Sequence, residues 1–572
     1  MNVNGLSLLF PDQDRVAYRM ISEEAWHDLG MDAVTEKLTA KPQEQQLIQQ
    51  VMRSLTDDPA AAAFRCGVFE ELLRHPEIRE KMAKLLERVK TFYDYGIVRR
   101  HEGDESGIWD LMHRLEEYRD YIVTVEQIRE CLAEKDLRSE GLLRLRDAVE
   151  AIYRDNGFAA LRKDVEELHV TASAIKSLTV GINLNDRFEA VNLGLVSVNA
   201  KPFTRSGVLK HFLAAVAPKD SIEPEAGWNG STSYHLADPG MGLAETAGHL
   251  MEAGVLLRNP ILMLSMARIP EADGSSSVPR QMDSAATMLT SRITRKLRDT
   301  LGKYLNVSVK EISELIPELT FYTRWADYIE KKKAEGWIFS TPEVLRGDGG
   351  APRRMEAKGF YNLKLMAAEK PEAVVRNDLS FDGEKRVYIL TGANRGGKTT
   401  VTQALGQLFL LAQSGISVPA ERFAFDPADR VLTHFPADED RTLDLGRLGE
   451  ECRRFRELYG SCTGSSLVLL NETFSTTSFE EGYFIAVDAV KALLQRGVRA
   501  VYNTHMHKLA KELDAEINTG ETPGRAVSLV AETKEGKNSF RVTVAPPEGR
   551  SFAREIAVKY GVTYDALVNG GQ

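Results

Sequence analysis

The sequence predicts an α + α/β protein, in which a long helical region, interrupted once, precedes an α/β domain. Three observations predict it. Apolar residues recur at helical spacing in Pro76–Gly96 (Ile78, Met82, Leu85, Leu86, Val89), and Ile108–His169 is rich in charge and poor in breakers. The pattern changes at Leu178–Asn199, LTVGINLNDRFEAVNLGLVSVN, where Val, Ile and Leu flank a polar Asn185–Asp186 turn and predict a β-hairpin. Beyond residue 341, short apolar runs alternate with helical segments almost to the end.

The elements follow in order. Residues 1–177 read as helices. After the hairpin a loop-rich part, with Gly and Pro clusters and the tract DGSSSVP, runs to about Pro279. Helical spacing resumes from Met282 to Gly336. Within it Phe321, Tyr322, Trp325 and Tyr328 are spaced as a core row, and Lys331–Lys333 reads as a solvated helix end. Arg292, Arg295, Lys296 and Arg298 form a basic helix face that suits either solvent or phosphate contact. The Gly/Pro-rich STPEVLRGDGGAPRR, Ser340–Arg354, marks a boundary before the α/β domain.

Composition narrows the class. Hydrophobic residues make up 43% and charged residues 27%, an ordinary soluble balance. No apolar run reaches the ~18 residues of a membrane span, and the first residues lack a signal peptide's pattern. Four scattered cysteines, with no C-x-x-C pair, argue against a disulfide framework or zinc site and fit the cytoplasm. The net charge of −10 does not mark a nucleic-acid binder, so any DNA role must be argued from elsewhere.

The chemistry concentrates between Val387 and His505. The apolar run Val387–Leu390 leads into Gly392-Ala-Asn394-Arg-Gly396-Gly397-Lys398-Thr399, a complete G-x-x-x-x-G-K-[ST] pattern between a strand and a helix. Its glycines allow backbone N–H groups to cradle phosphate oxygens, and the helix N-terminus favours the anion. Lys398 would reach the β- and γ-phosphates of ATP, and Thr399 would offer its hydroxyl to Mg²⁺. Further on, Ser466–Glu472 (SLVLLNE) is an apolar strand ending in Asn471-Glu472, the arrangement of a Walker B strand. Asn471 stands where an Asp would hold the metal's water, with an acceptor oxygen but no charge. Glu472 would polarise the attacking water. A third strand, Arg499–Asn503, ends in Thr504-His505, where His505 could sense a γ-phosphate; His507 follows, but no third ligand suggests a metal site.

On these residues the chain resembles the MutS family of mismatch-repair ATPases. TGANRGGKTT, with Asn394, Gly396–Gly397 and Thr400, resembles the family's T-G-x-N-x-G-G-K-[ST]-T; AQSGISVP (Ala412–Pro419) resembles the stretch after its helix. NETFSTTS (Asn471–Ser478) stands where the family has D-E-x-G-x-G-T-S, and Gly549–Phe552 through Ala557 and Gly561 resemble its closing segment. The resemblance covers about residues 377–562 closely. It extends more faintly to His75–Lys90, the hairpin and Lys303–Tyr322.

The resemblance implies a P-loop (ABC-type) ATPase domain over 341–572 with C-terminal dimerisation helices. It also implies a helical core and outgoing lever over 1–177, a clamp-like tip over 178–281 and a returning lever over 282–340. It implies a homodimer that binds ATP and Mg²⁺ and grips DNA, with no membrane. Asn377 matches the family's nucleotide-site Asn, although Val374–Arg376 lack the aromatic residue that stacks on adenine there. The signature loop aligns with Asp440–Glu451 without its usual S-T, Glu450 alone fitting. Too few residues precede the first strong helix for mismatch-reading and connector domains, so a short form is expected. Phe69-Glu70-Glu71 and Phe455-Arg456-Glu457 match the family's Phe-x-Glu wedge only by chance. Mismatched, branched or otherwise distorted duplex is then the expected partner. Asn471 and the altered loop leave a slowly hydrolysing nucleotide-dependent scaffold as one alternative. The acidic charge leaves an ATPase acting on a protein partner as another.

Overall fold

A computed structural model of the chain describes residues 6–12, 14–85, 108–133, 135–172, 177–184, 186, 190–199, 235–236, 291–304, 315–346, 353–436, 446–520, 522–534, 537–547, 558 and 560–569. The chain divides into two compact units. One comprises Met1–Asn2, Glu87–Arg129 and Val149–Ile312; the other comprises Val3–Leu86, Glu130–Ala148 and Ser313–Gln572. The second unit thus joins residues 3–86 to the α/β part.

In the first unit, charged helices pair through their apolar sides. Tyr121, on the helix Ile108–Ala133, meets Phe158 of Asn156–Ala172 edge to face at 6.0 Å. Tyr118 donates to the Tyr304 carbonyl at 2.8 Å. The expected hairpin is present: Ser177–Leu184 pairs antiparallel with Ala190–Asn199. Of the tip, only these strands, Asp186 and His235–Leu236 lie among the described residues. On the helix Ser291–Leu301, Leu297 is buried while Arg295 and Lys296 are exposed; the Arg292 side chain lies outside the description.

In the second unit the aromatic row of Leu315–Ala334 is core, as its spacing suggests. Phe321, Tyr322 and Trp325 are fully buried, and Tyr322 packs 6.0 Å from the Phe69 ring. Phe69 itself is buried. The Lys332 ammonium, at the helix end, meets Glu335 at 2.6 Å.

The α/β part centres on six strands: β1 (Lys385–Gly392), β2 (Val431–His434), β3 (Leu467–Asn471), β4 (Arg499–Asn503), β5 (Arg525–Lys534) and β6 (Lys537–Val544). Their order across the sheet is β2-β3-β4-β1-β5-β6, parallel except for β6. Continuous apolar runs such as LVLL and VYIL suit strands covered on both faces. Helix α1 (Lys398–Gln413) packs against β3, β4, β1 and β2, and helix α2 (Phe479–Arg496) packs against β1 and β5. Tyr483, Ala486, Val490, Leu493 and Leu494 of α2 share a core with Val387, Ile389, Val468, Leu470 and Tyr502. Burying each such Leu or Val contributes about 1.5–3 kcal/mol.

Helix α1 is buried along nearly its whole length because the N-terminal segment lies against it. Gln403 donates to the Asp28 carbonyl at 2.6 Å, Gln407 to Leu29 at 2.8 Å and Gln413 to Thr56 at 2.9 Å. Arg65 returns a bond to the Gln413 carbonyl at 2.9 Å. Polar side chains inside a core persist only when bonded, and here they join segments far apart in sequence. At Gly406 an added Cβ would fall 2.3 Å from a Leu29 methyl, so glycine sets how closely the segment approaches. Among the described residues no helix is long and apolar enough to cross a membrane, and all four cysteines are free.

Candidate functional site

Strand β1 delivers the chain to Gly392, whose φ of 138° is open only to glycine, and an added Cβ would meet the Ala531 carbonyl oxygen at 2.8 Å. The loop turns through Asn394, Arg395 and Gly396. It enters α1 at Gly397, the N-cap, with φ 83°. The free N–H groups of the first turn therefore face the cleft beside this loop. Lys398 is buried there and donates to the carbonyls of Gly392 and Ala393, each at 3.1 Å. Burial lowers its pKa, and the Glu472 carboxylate partly restores it. The Thr400 carbonyl accepts from Asn362 at 2.9 Å, which anchors the first turn.

Across the loop stand the strand ends. The β3 strand is not the immediate neighbour of β1, because β4 lies between them. Asn471 nevertheless reaches Thr399, whose hydroxyl donates to Oδ1 of Asn471 at 3.0 Å. Asn503, at the end of β4, joins them: its Nδ2 donates to Oγ1 of Thr399 at 3.2 Å and to Oδ1 of Asn471. Mg²⁺ takes near-octahedral oxygen ligands, with carboxylates supplying charge. This trio is neutral and already bonded to itself, and it does not fit that ion.

Glu472 follows with φ 51°, in the left-handed region that non-glycine residues seldom occupy. Its amide donates to the Asn503 carbonyl at 2.8 Å, and its Oε2 meets Nδ1 of His505 at 2.5 Å. The hydrogen bond to Glu472 raises the pKa of His505. The turn is held from behind: Thr473 bonds His434, while burial pushes His434 down to about 4. His507 lies outside this pair, and burial lowers its pKa. Among the described residues no three His, Cys, Asp or Glu side chains gather as metal ligands.

Asn377 acts as a strut. Its Nδ2 donates to the Phe540 carbonyl at 3.1 Å, and its Oδ1 accepts from the Val542 amide at 2.8 Å. That bond holds β6 where Phe540, with φ 58°, lies above the glycine loop. A Cβ on Gly397 would sit 3.3 Å from the Phe540 ring. Phe540 is half exposed and lines the cleft with Asn377, Asn394, Lys398, Glu472 and Asn503. An aromatic face is thus present although Val374–Arg376 supply none.

The structure brings together Gly392, Asn394, Gly396, Gly397, Lys398, Thr399, Thr400, Asn471, Glu472 and His505, with Asn377 at the rim. Sequence reasoning missed Asn503 and Phe540. Asn503 carries a faint signal, since both LVLLN and RAVYN end on Asn; Phe540 carries none. Of the signature stretch, Asp440–Leu445 lies outside the described residues, and Glu450 pairs with Arg453 at 2.6 Å. The closing stretch Gly549–Ala557 also lies outside them.

Comparison with known proteins agrees with this geometry. Residues 388–561 match the model of MutS domain V, and residues 57–331 match the model of the MutS2 N-terminal domain. The chain is 31% identical over 262 residues to the endonuclease MutS2 of Thermus thermophilus, covering 42% of this chain and 34% of that protein. It is 31% identical over 237 residues to the DNA mismatch repair protein MutS of Chlorobium phaeovibrioides, covering 39% and 27%. For the MutS protein of Thermotoga maritima the identity is 31% over 277 residues, covering 48% and 33%. The matched stretches span about a third or less of these relatives' length. One model of this kind thus matches the helical region and another the domain that carries the glycine loop, so the chain is similar to MutS-type proteins in both parts.

Proposed function

We propose that the chain is an ATPase whose binding and hydrolysis of ATP are coupled to a grip on DNA. The observation that carries this reading is the glycine loop, with buried Lys398 at the head of α1, facing the Glu472–His505 pair. Lys398 would exchange the loop carbonyls for the β- and γ-phosphates. The N–H groups of the loop and of the first turn of α1 would hold the remaining oxygens. Glu472 would orient water for attack on the γ-phosphate, giving ADP and phosphate. His505 would fix the Glu472 carboxylate and report whether the γ-phosphate is present, and Phe540 would offer its ring face to the base.

The coarser assignments follow the family. The α/β part from 341 onward would be a P-loop domain of ABC type working as a homodimer in the cytoplasm. The helical segments over 1–177 and 282–340 would act as levers, and 178–281 as a clamp on mismatched, branched or distorted duplex. ATP could steer the grip only through different affinity for open and closed states. The decisive experiment is steady-state ATP hydrolysis with no DNA, plain duplex, mismatched duplex and a four-way junction, with Glu472→Gln as blank. Turnover that the mutant lacks and that one DNA alters is expected. Turnover indifferent to all of them would reject the DNA role and favour a protein partner.

One observation favours a second reading. Asn471 puts no charge where an acid is expected, which suits a scaffold driven by nucleotide occupancy with slow hydrolysis. Wild-type turnover no higher than the Glu472→Gln blank would select it.

A further inference from the structure

We infer that the amide pair Asn471–Asn503 occupies the position of a protein-held cation, so that nucleotide binds this chain with an affinity nearly indifferent to Mg²⁺. The inference rests on reading the cleft as a nucleotide site. It goes further by assigning Asn503 a positioning role and by naming the metal-free nucleotide as the ligand.

The arrangement follows from register. Strands β3 and β4 run parallel with Asn471 opposite Asn503, so both strands end level, on the same side-chain type. Register partners in neighbouring strands project to the same face, which brings the two amides together. Both are buried, at 8% and 1% exposure. The donor and acceptor count then closes. Both N–H donations of Asn503 go to Thr399 and Asn471. Oδ1 of Asn471 accepts from Asn503 and from Thr399, which fills its two lone pairs. Thr399 donates once and accepts once, so its hydroxyl, the group expected on the metal, is already engaged.

One acceptor is left over. Oδ1 of Asn503 is buried and has no hydrogen-bond partner. It is a single neutral oxygen, where a divalent cation needs several oxygens and compensating charge. A cation on Thr399 would also displace an N–H donor that points at the hydroxyl. Charge on the phosphates is met instead by Lys398 and the N-terminus of α1, neither of which needs metal.

The test is calorimetric titration of the full chain with ADP and with a non-hydrolysable ATP analogue, in Mg²⁺ and in EDTA at matched ionic strength. Wild-type affinity should differ by less than about threefold between buffers. Asn471→Asp keeps an acceptor for Asn503 and adds a carboxylate, so its affinity should fall more than about tenfold in EDTA. Asn503→Ala, which removes the N–H donor aimed at the Thr399 oxygen, should shift the same way and serves if Asn471→Asp does not fold. A wild-type affinity that drops tenfold or more in EDTA would overturn this inference while leaving the nucleotide site intact. Variants as indifferent to Mg²⁺ as wild type would overturn the role of the amide pair. No binding in either buffer would overturn the nucleotide site itself, and this inference with it.

Discussion

The glycine loop and the strand ends that face it are specified in different ways. The loop is local. Eight consecutive residues, 392–399, fix its shape through glycines with positive φ at Gly392 and Gly397 and the helix that follows. The strand ends are assembled from β2, β3 and β4, and their chemistry depends on which strand lies between which and in what register. The first region identifies a phosphate site. The second decides what that site can do, and it departs from expectation through two amides and a carboxylate clasped by a histidine.

Acid should break the second region first. His434 is buried neutral at the end of β2, with its pKa depressed to about 4 from an unfolded value near 6.5. Between those values the unfolded chain binds more protons, so the stability it contributes is present above about pH 6.5 and is lost as pH falls towards 4. The loss is roughly 3 kcal/mol. Urea unfolding of wild type and His434→Gln at pH 7 and pH 4.5 measures it, and an equal gap between the two proteins at both pH values would refute it.

Lys398→Ala should strike the loop alone. Loss of a charge-assisted contact to phosphate should weaken ADP binding about a hundredfold, read by calorimetry, with the thermal midpoint little changed. A fall in both would mean that loop and strand ends are not separable. Asn377→Ala removes two bonds to β6 and should cost about 2 kcal/mol in urea unfolding. The smallest effect belongs to the His505–Glu472 pair, because His505 is half exposed. Its NMR titration midpoint should lie above 6.5 and fall towards 6.5 in Glu472→Gln. The pair's stabilisation is present below pH 6.5, is lost as pH rises through the raised value, and stays under about 1 kcal/mol. A midpoint unmoved by the mutation would remove Glu472 as its cause.

The same division explains what could be read in advance. The loop, the hairpin and the aromatic core of Leu315–Ala334 were legible because each is written in periodicity or turn chemistry within a few residues. Asn503 was visible only as the last letter of a strand, since its meaning lies in the pairing of two strands about 30 residues apart. Phe540 reaches the loop across more than 140 residues and owes its place to Asn377, whose match to the family pattern does not disclose that role. Gln403, Gln407 and Gln413 read as ordinary helix residues. Only the fold reveals that they bind the N-terminal segment.

That last contact bears on how the chain is made. Residues 28–65 leave the ribosome long before the helix they bond to has been synthesised. At about 5–20 residues per second, the wait from Arg65 to Gln413 is on the order of half a minute. Until then Leu29 and the carbonyls of Asp28, Leu29 and Thr56 lack the helix they meet in the finished protein. The helix that begins at the glycine loop acts as a late keystone, and a fragment beginning at the 340–354 boundary would leave the bonds of its three glutamines to residues 28, 29 and 56 unmade and the Gly406 groove open to water.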